Sequence, residues 1–367
     1  MNVPEFKETM LEVFRNEPDI GRMGFLSSFF KTKPEYFTQG EKIDVDVVKR
    51  SIKVAPVITP ANTGAVSVSQ TDFTGKQVTP PLYAMSYPVE VGQLMKRKPG
   101  ETVFDVNYAS WTAEMQKALL PSFSLMHGMI RVSIELQAAQ MLQTGKVTLT
   151  DKDGNSAYEL DYGLSNSHKI VPSVKWDQSG SDPVGDIKQG MKAVRNDGYA
   201  DVTTAIFGAR AWEAFIAHES VLKLFQKDVL NIAALDPALR NKGAEYMGYI
   251  MAGAYKLNLM CYNATYEPFE HSLRHPFIDE DKVLLLPDTD SLDYRLVYAN
   301  VPIIPTGSIF DDIVPNEVII DGRIRYAQRV WHDQQTDVFR AEVKSRPLCL
   351  PVSIDREAVL SEVVTAA

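Results

Sequence analysis

The most regular signal in the chain lies between Ser122 and Gln143, where Met126, Ile130, Ile134, Ala138 and Met141 recur every three or four residues. That spacing lines apolar groups along one side of an α-helix and predicts a helix over 122–143. At about 1.5 Å per residue it would span roughly 33 Å, long for a globular protein, with Gly145 as its stop. A helical region begins earlier, around Phe104 and Trp111, and Pro121 reads as an interruption between the two. A shorter amphipathic helix is predicted over Pro4–Phe14, with Phe6, Met10, Leu11 and Phe14 on one face. Asp182-Pro183 forms an N-cap and first-turn pair for a helix running toward Asn196 and closed by Gly198.

Alternation of period two marks the strands. Ile43, Val45 and Val47 alternate with polar residues, and Val147–Thr150 and Ala157–Leu160 flank an Asp153-Gly154 pair suited to a tight hairpin turn. Further strands are predicted over Thr203–Phe207, Lys282–Leu286, Tyr294–Tyr298 and Val318–Ile320, with short helices over Ala209–Ala217 and Ser220–Val229. This irregular order places the chain in the α+β class. The polar stretch from Trp176 to Pro183 reads as a boundary, and no internal repeat is evident.

Two tracts lack the means to bury themselves. Met23–Phe30 carries the four large apolar groups Phe25, Leu26, Phe29 and Phe30 after Met23, in a segment broken by glycine, and wants a covering surface, within the subunit or on a neighbour. Between Ser51 and Glu90 there are five prolines, only four formal charges, and a small-residue alternation at Ala65–Ser69. Extended backbone fits such a composition, but a two-stranded projection is marginal by itself and should lie on something else.

Composition narrows the function classes. The 367 residues carry 38 Lys+Arg against 47 Asp+Glu, a net charge of −9, with 45% hydrophobic residues and 2 cysteines. Such a chain is neither disordered nor held by a disulfide framework, and its length allows about two domains. Net acidity argues against a protein built to grip nucleic-acid phosphates. The N-terminus has mixed charges and no apolar core of a signal peptide, and the longest uncharged run, Val54–Thr71, holds prolines and polar residues unsuited to spanning a bilayer.

Catalytic fingerprints are missing. No two glycines are separated by one residue and none lie four apart, which excludes GxGxxG and GxSxG, and no glycine pair five apart is followed by lysine. His271 and His275 have a metal-compatible spacing near Glu267 and Glu270, but Pro268 and Pro276 bracket them and the general-base glutamate of HExxH is absent, so a solvated loop is the plainer reading. Cys261 and Cys349 lie in apolar sequence and read as small core residues. Asp151–Asn155 begins like a calcium loop and fails at the later ligand positions, where Ser156 and Tyr162 stand.

The order of parts resembles the lambda-type phage major capsid proteins, the capsid protein E family. The resemblance rests on Val54-Ala-Pro-Val57 followed by a polar excursion to Pro80-Pro81-Leu-Tyr83, on Lys96-Arg-Lys98-Pro-Gly-Glu101, and on Leu142–Lys146 leading into the hairpin. It continues through Trp176-Asp, Asp182–Ile187, Ala205–Trp212, Trp331-His-Asp and Leu350-Pro-Val352.

This resemblance implies a Hong Kong 97-like capsid fold. Its parts would fall as an N-terminal arm (1–40), an extended loop with flanking strands (41–100), a peripheral domain with the spine helix and hairpin (101–168), an axial domain (169–300), and a return through the peripheral domain into a C-terminal segment (301–367). The arm and loop would lie across neighbouring subunits. That makes Phe6, Met10, Phe14, Phe25, Phe29 and Phe30 of the arm, and Val66, Val68, Phe73 and Lys76 of the loop, candidates for contact between subunits.

The implied function is assembly of pentamers and hexamers into the icosahedral head shell of a tailed double-stranded DNA phage, assembled in the host cytoplasm. No enzymatic activity, cofactor, metal or membrane would be involved. Scaffold and portal proteins would serve during assembly, with a decoration protein rather than lysine crosslinks from Lys76 securing the shell. The net charge of −9 suits an inner wall facing DNA without sequence-specific contacts, and equally suits plain solubility. A tail-tube protein and a metal-dependent hydrolase using the His271/His275 region remain the alternatives.

Overall fold

The computed structural model of the chain describes residues 23–38, 40–48, 73–90, 108–151, 155–225, 230–231, 243–252, 255–268, 273–301, 317–320, 323–333 and 338–365. The alternation at 43–47 forms strand β1 (Ile43–Val48), which pairs antiparallel with β2 (Phe73–Val78). The register sets Ile43 opposite Val78, both buried, and Val48 opposite Phe73 at the other end. The predicted small-residue run 65–69 lies outside the described residues, as does the helix predicted over 4–14. Strand β3 (Tyr83–Glu90) follows.

The long helix α1 spans Tyr108–Thr144, 37 residues or about 55 Å, and runs straight through Pro121. The expected interruption is therefore corrected. A proline inside a helix costs about 3 kcal/mol, but Phe123, Met126, Ile130, Ile134, Met141 and Leu142 are all buried along the same helix, each worth about 1.5–3 kcal/mol. Gly145 ends it as predicted, with φ +71° and its N–H on the Met141 carbonyl at 2.8 Å.

Strands β4 (Lys146–Thr150) and β5 (Ser156–Asp161) form the expected hairpin, whose Asp153-Gly154 tip lies outside the described residues. After β6 (Lys169–Ile170), helix α2 (Pro183–Gly198) starts where the capping pair places it, with the Asp182 carboxylate accepting from the Gly185 N–H at 3.0 Å. At its end the left-handed residue is Tyr199 (φ 50°), not Gly198. Gly198 is needed for a different reason, because a Cβ there would stand 2.3 Å from the Asp355 carbonyl oxygen.

The chain continues through β7 (Val202–Phe207), α3 (Ala209–Ala217), α4 (Glu219–Phe225), β8 (Leu230–Asn231), β9 (Ala244–Ala252) and β10 (Tyr255–Tyr262). Then come β11 (Thr265–Tyr266), β12 (His275–Pro276), β13 (Val283–Pro287), β14 (Tyr294–Tyr298) and β15 (Glu317–Ile320). The last are β16 (Arg323–Asp333), β17 (Val338–Ser345), β18 (Pro347–Pro351) and β19 (Ala358–Leu360).

Two hydrophobic cores organise these elements. The first gathers α1, the four-stranded antiparallel sheet β15-β16-β17-β3, the β4–β5 hairpin and the β14–β18 pair. The second lies between α2, α3 and one face of a seven-stranded mixed sheet, β6-β19-β13-β7-β10-β9-β8. That sheet is a shared wall. Leu284, Leu286, Ile206 and Val359 belong to the first core, whereas Val283, Leu285, Ala205, Phe207, Ala358 and Leu360 belong to the second. Successive residues of a strand point to opposite faces, so the unbroken apolar run at Val283–Leu286 is what a strand covered on both sides requires.

Trp176 packs beside Phe207 and Phe215 in the second core. Trp176 thus joins the polar stretch 176–183 to that core. Three of the connections between the seven-stranded sheet and the rest, β5 to β6, β13 to β14 and β18 to β19, run close to one another, tied by hydrogen bonds from Val352 N–H to Asp293 O at 3.0 Å and from His168 to Glu357.

Candidate assembly site

The segment that needed a covering surface finds it in its own chain. Phe25, Leu26, Phe29 and Phe30 are each less than 10% exposed. Phe25 packs on Phe29 and Tyr262, and Phe30 stacks on Tyr294 at 5.3 Å. Beneath them Glu135 of α1, fully buried, accepts at 2.8 Å from each of three donors: the N–H of Leu26, the N–H of Ser27 and the Tyr262 hydroxyl. A buried carboxylate is tolerable when its lone pairs are filled in this way. Burial, with the Glu135 charge beside it, pushes the Tyr262 phenol far above its ordinary range.

Residues 31–38 then run along β14. The Lys31 N–H donates to Tyr294 O and the Leu296 N–H to Lys31 O, both at 3.0 Å, and Phe37 stacks on Tyr298 at 5.1 Å. The segment from Leu26 to Thr38 is therefore fastened to α1 and β14.

Two glutamines on α1 do related work inside the first core. Gln137 donates to the Tyr83 hydroxyl at 2.8 Å and accepts from the Cys349 N–H at 3.2 Å, joining β3 and β18 to the helix. Gln143 donates to Phe277 O at 2.7 Å and accepts from the Asp279 N–H at 2.9 Å. Sequence reasoning missed all three polar groups. Their signal was present: Glu135, Gln137 and Gln143 stand within a helix otherwise apolar on several sides, where an isolated polar residue is a candidate for a buried contact.

The candidates for contact between subunits divide into three sets. Phe6, Met10, Phe14, Val66 and Val68 lie outside the described residues. Phe73 and Lys76 stand in β2, opposite Val48 and Val45 of β1. Phe25, Phe29 and Phe30 are buried in the first core. Large apolar side chains that do meet solvent include Leu82 and Tyr87 at and within β3, Leu125 on α1, and Met251 on β9.

Among the described residues no cluster of three or more His, Cys, Asp and Glu could hold a metal, and no helix is long and apolar enough to cross a membrane. His271 lies outside the described residues, while His275 is exposed in β12 beside Tyr266. Burial pushes the Cys261 thiol up to about 11 and the Cys349 thiol well above its usual value. Ser181 Oγ lies 2.9 Å from His218 Nε2, but it spends its proton on Gln178 O at 2.9 Å, so the imidazole donates to the hydroxyl instead of accepting from it. A serine nucleophile needs the opposite polarity.

Residues 8–356 match the family described as phage major capsid protein E. Among solved structures, a protein assigned as the capsid protein of a prophage of Escherichia coli CFT073 is similar over 98% of this chain and 99% of its own, with a TM-score of 0.63 at 14% identity. A phage-related protein from Bordetella bronchiseptica RB50 is similar over 98% of both chains, with a TM-score of 0.52 at 10% identity. No curated protein matches the chain significantly.

Proposed function

Because this chain belongs to the phage major capsid protein E family and has the Hong Kong 97-like fold, a head shell subunit and virion component rather than a tail-tube protein, we propose that its copies are joined chiefly by two appendages, the arm before residue 23 and the 49–72 connection between β1 and β2. The supporting observation is how both are rooted. The arm is clipped to the spine helix at Glu135, and the β1–β2 ladder runs from the buried Ile43–Val78 pair to the Val48–Phe73 pair, where the 49–72 connection begins. A two-stranded ladder is marginal alone and gains stability when it lies on a second surface.

In this reading Phe6, Met10 and Phe14 of the arm, and Val66, Val68, Phe73 and Lys76 of the loop, meet neighbouring subunits at fivefold and sixfold positions. The first core forms a peripheral domain and the seven-stranded sheet with α2 and α3 an axial domain. Assembly proceeds in the host cytoplasm with scaffold and portal proteins, and a decoration protein secures the shell around DNA held without sequence-specific contacts. The role is structural, with no catalytic step.

The test replaces residues 50–71 by a short Gly-Ser turn in the full-length chain and examines the product by sedimentation and negative-stain microscopy beside the wild type, with scaffold present for both. The expected variant melts as the wild type does and remains unassembled. Closed particles of unchanged size from the variant would overturn the proposal.

A further inference from the structure

Three connections meet around one buried residue. Glu357 lies between the short turn Ile354–Arg356 and β19, with no exposed surface. Its Oε2 accepts from the hydroxyl of Tyr294, the first residue of β14, at 2.8 Å. Its backbone carbonyl accepts from Nδ1 of His168, the residue before β6, at 2.6 Å. The other ring nitrogen of His168 lies 3.1 Å from Asp197 Oδ2 near the end of α2. Next along the chain, Arg356 donates to the carbonyls of Gly198 and Ser291. Two adjacent residues thus tie together the end of α2 and the three connections β5 to β6, β13 to β14 and β18 to β19.

The Glu357 carboxyl is met by a phenol and not by a cation, and its Oε1 is buried without a hydrogen-bond partner. Lys169 of β6 acts on it favourably and Asp355 of its own turn unfavourably, neither pairing with it directly. Burial dominates and holds the carboxyl well above its ordinary range, against the pull of Tyr294 and Lys169. An ionised carboxylate in this place would leave one oxygen unsatisfied in a site that water does not reach.

We propose that Glu357 is a proton-operated lock on the joint between the two cores: protonated, it holds the three connections together, and ionised, it lets them part. Opening exposes the carboxyl to water, where it ionises near its ordinary value of 4.5. A group raised in the closed state stabilises that state fully below pH 4.5 and loses its contribution as pH climbs through the buried value. Within that interval the opening constant rises about tenfold per pH unit.

The measurement is hydrogen–deuterium exchange on the full-length protein from pH 5 to pH 8, corrected for intrinsic exchange rates, at amides of 163–169, 288–294 and 352–358, together with the infrared band of protonated carboxyl groups. The wild type should lose protection in these three segments by up to tenfold per pH unit, and the Glu357→Gln variant, which keeps the His168 contacts, should show a clearly shallower slope and lack one protonated-carboxyl band present at neutral pH. Equal slopes in both proteins, or an unchanged band, would overturn the proposal. Should that variant fail to fold, Tyr294→Phe serves, since removing a donor that favours the ionised form moves the loosening to higher pH; an unmoved profile would overturn it equally.

Discussion

The Tyr262 hydroxyl donates to Glu135 Oε1 at 2.8 Å across 127 residues of sequence, and the same carboxylate receives the backbone N–H groups of Leu26 and Ser27. One side chain of the spine helix therefore holds both the end of β10 and the base of the arm. Replacing it with leucine leaves three donors unpaired in a dry place, at about 3 kcal/mol or more, whereas glutamine keeps one acceptor oxygen and should cost about half as much. Urea denaturation of the unassembled chain measures the difference, and equal costs for Glu135→Leu and Glu135→Gln would show that the carboxylate is not the clip.

The cap of α2 is separable from the rest of the fold. Asp182→Ala removes the acceptor of the Gly185 N–H and should cost about 1 kcal/mol, while Asp182→Asn should restore most of it. Thermal unfolding of the two variants side by side decides this.

Gly198 offers a sharper case. An alanine within a helix ordinarily gains up to about 1 kcal/mol over glycine, but here its Cβ would stand 2.3 Å from the Asp355 carbonyl oxygen and 2.9 Å from its carbon. Backbone cannot yield as a side-chain tip can, so Gly198→Ala should destabilise by about 1–3 kcal/mol. A variant as stable as the parent would mean that α2 and the 353–357 turn can separate freely.

Both cysteines should be silent to alkylation in the native protein. Each is buried, and burial holds both thiols high, at about 11 for Cys261 and well above the usual value for Cys349, so almost no thiolate forms at pH 8. Mass spectrometry after iodoacetamide should find no adduct in buffer and two in urea, and rapid native labelling of either would contradict their placement.

The elements most legible in the sequence were those with punctuation or strong period. Asp182-Pro183 and Gly198 bracketed α2 within a residue, and the strand predicted over Lys282–Leu286 is β13, Val283–Pro287. Pro121 misled because a local rule was set against burial along the rest of a 37-residue helix, a term that depends on what packs beside it. The polar contacts were hidden for a related reason. Glu135 with Tyr262, and Glu357 with Tyr294, pair across 127 and 63 residues, and no spacing rule connects positions that only the folded sheet brings together. The burial of Phe25, Phe29 and Phe30 in the first core was not legible, because an apolar stretch in an arm announces a need for cover without saying whose surface supplies it.

The common wall between the two cores bears on how such a chain is inherited. Along Val283–Leu286 each residue owes its cover to a different core from the residue before it, so neither core can be lifted out as a cassette without stripping one face of the strand bare. This constraint does not bear on the lengths of chain that join β4 to β5 or β1 to β2. The body itself has to be passed on as one indivisible piece, which leaves innovation to the margins of the fold.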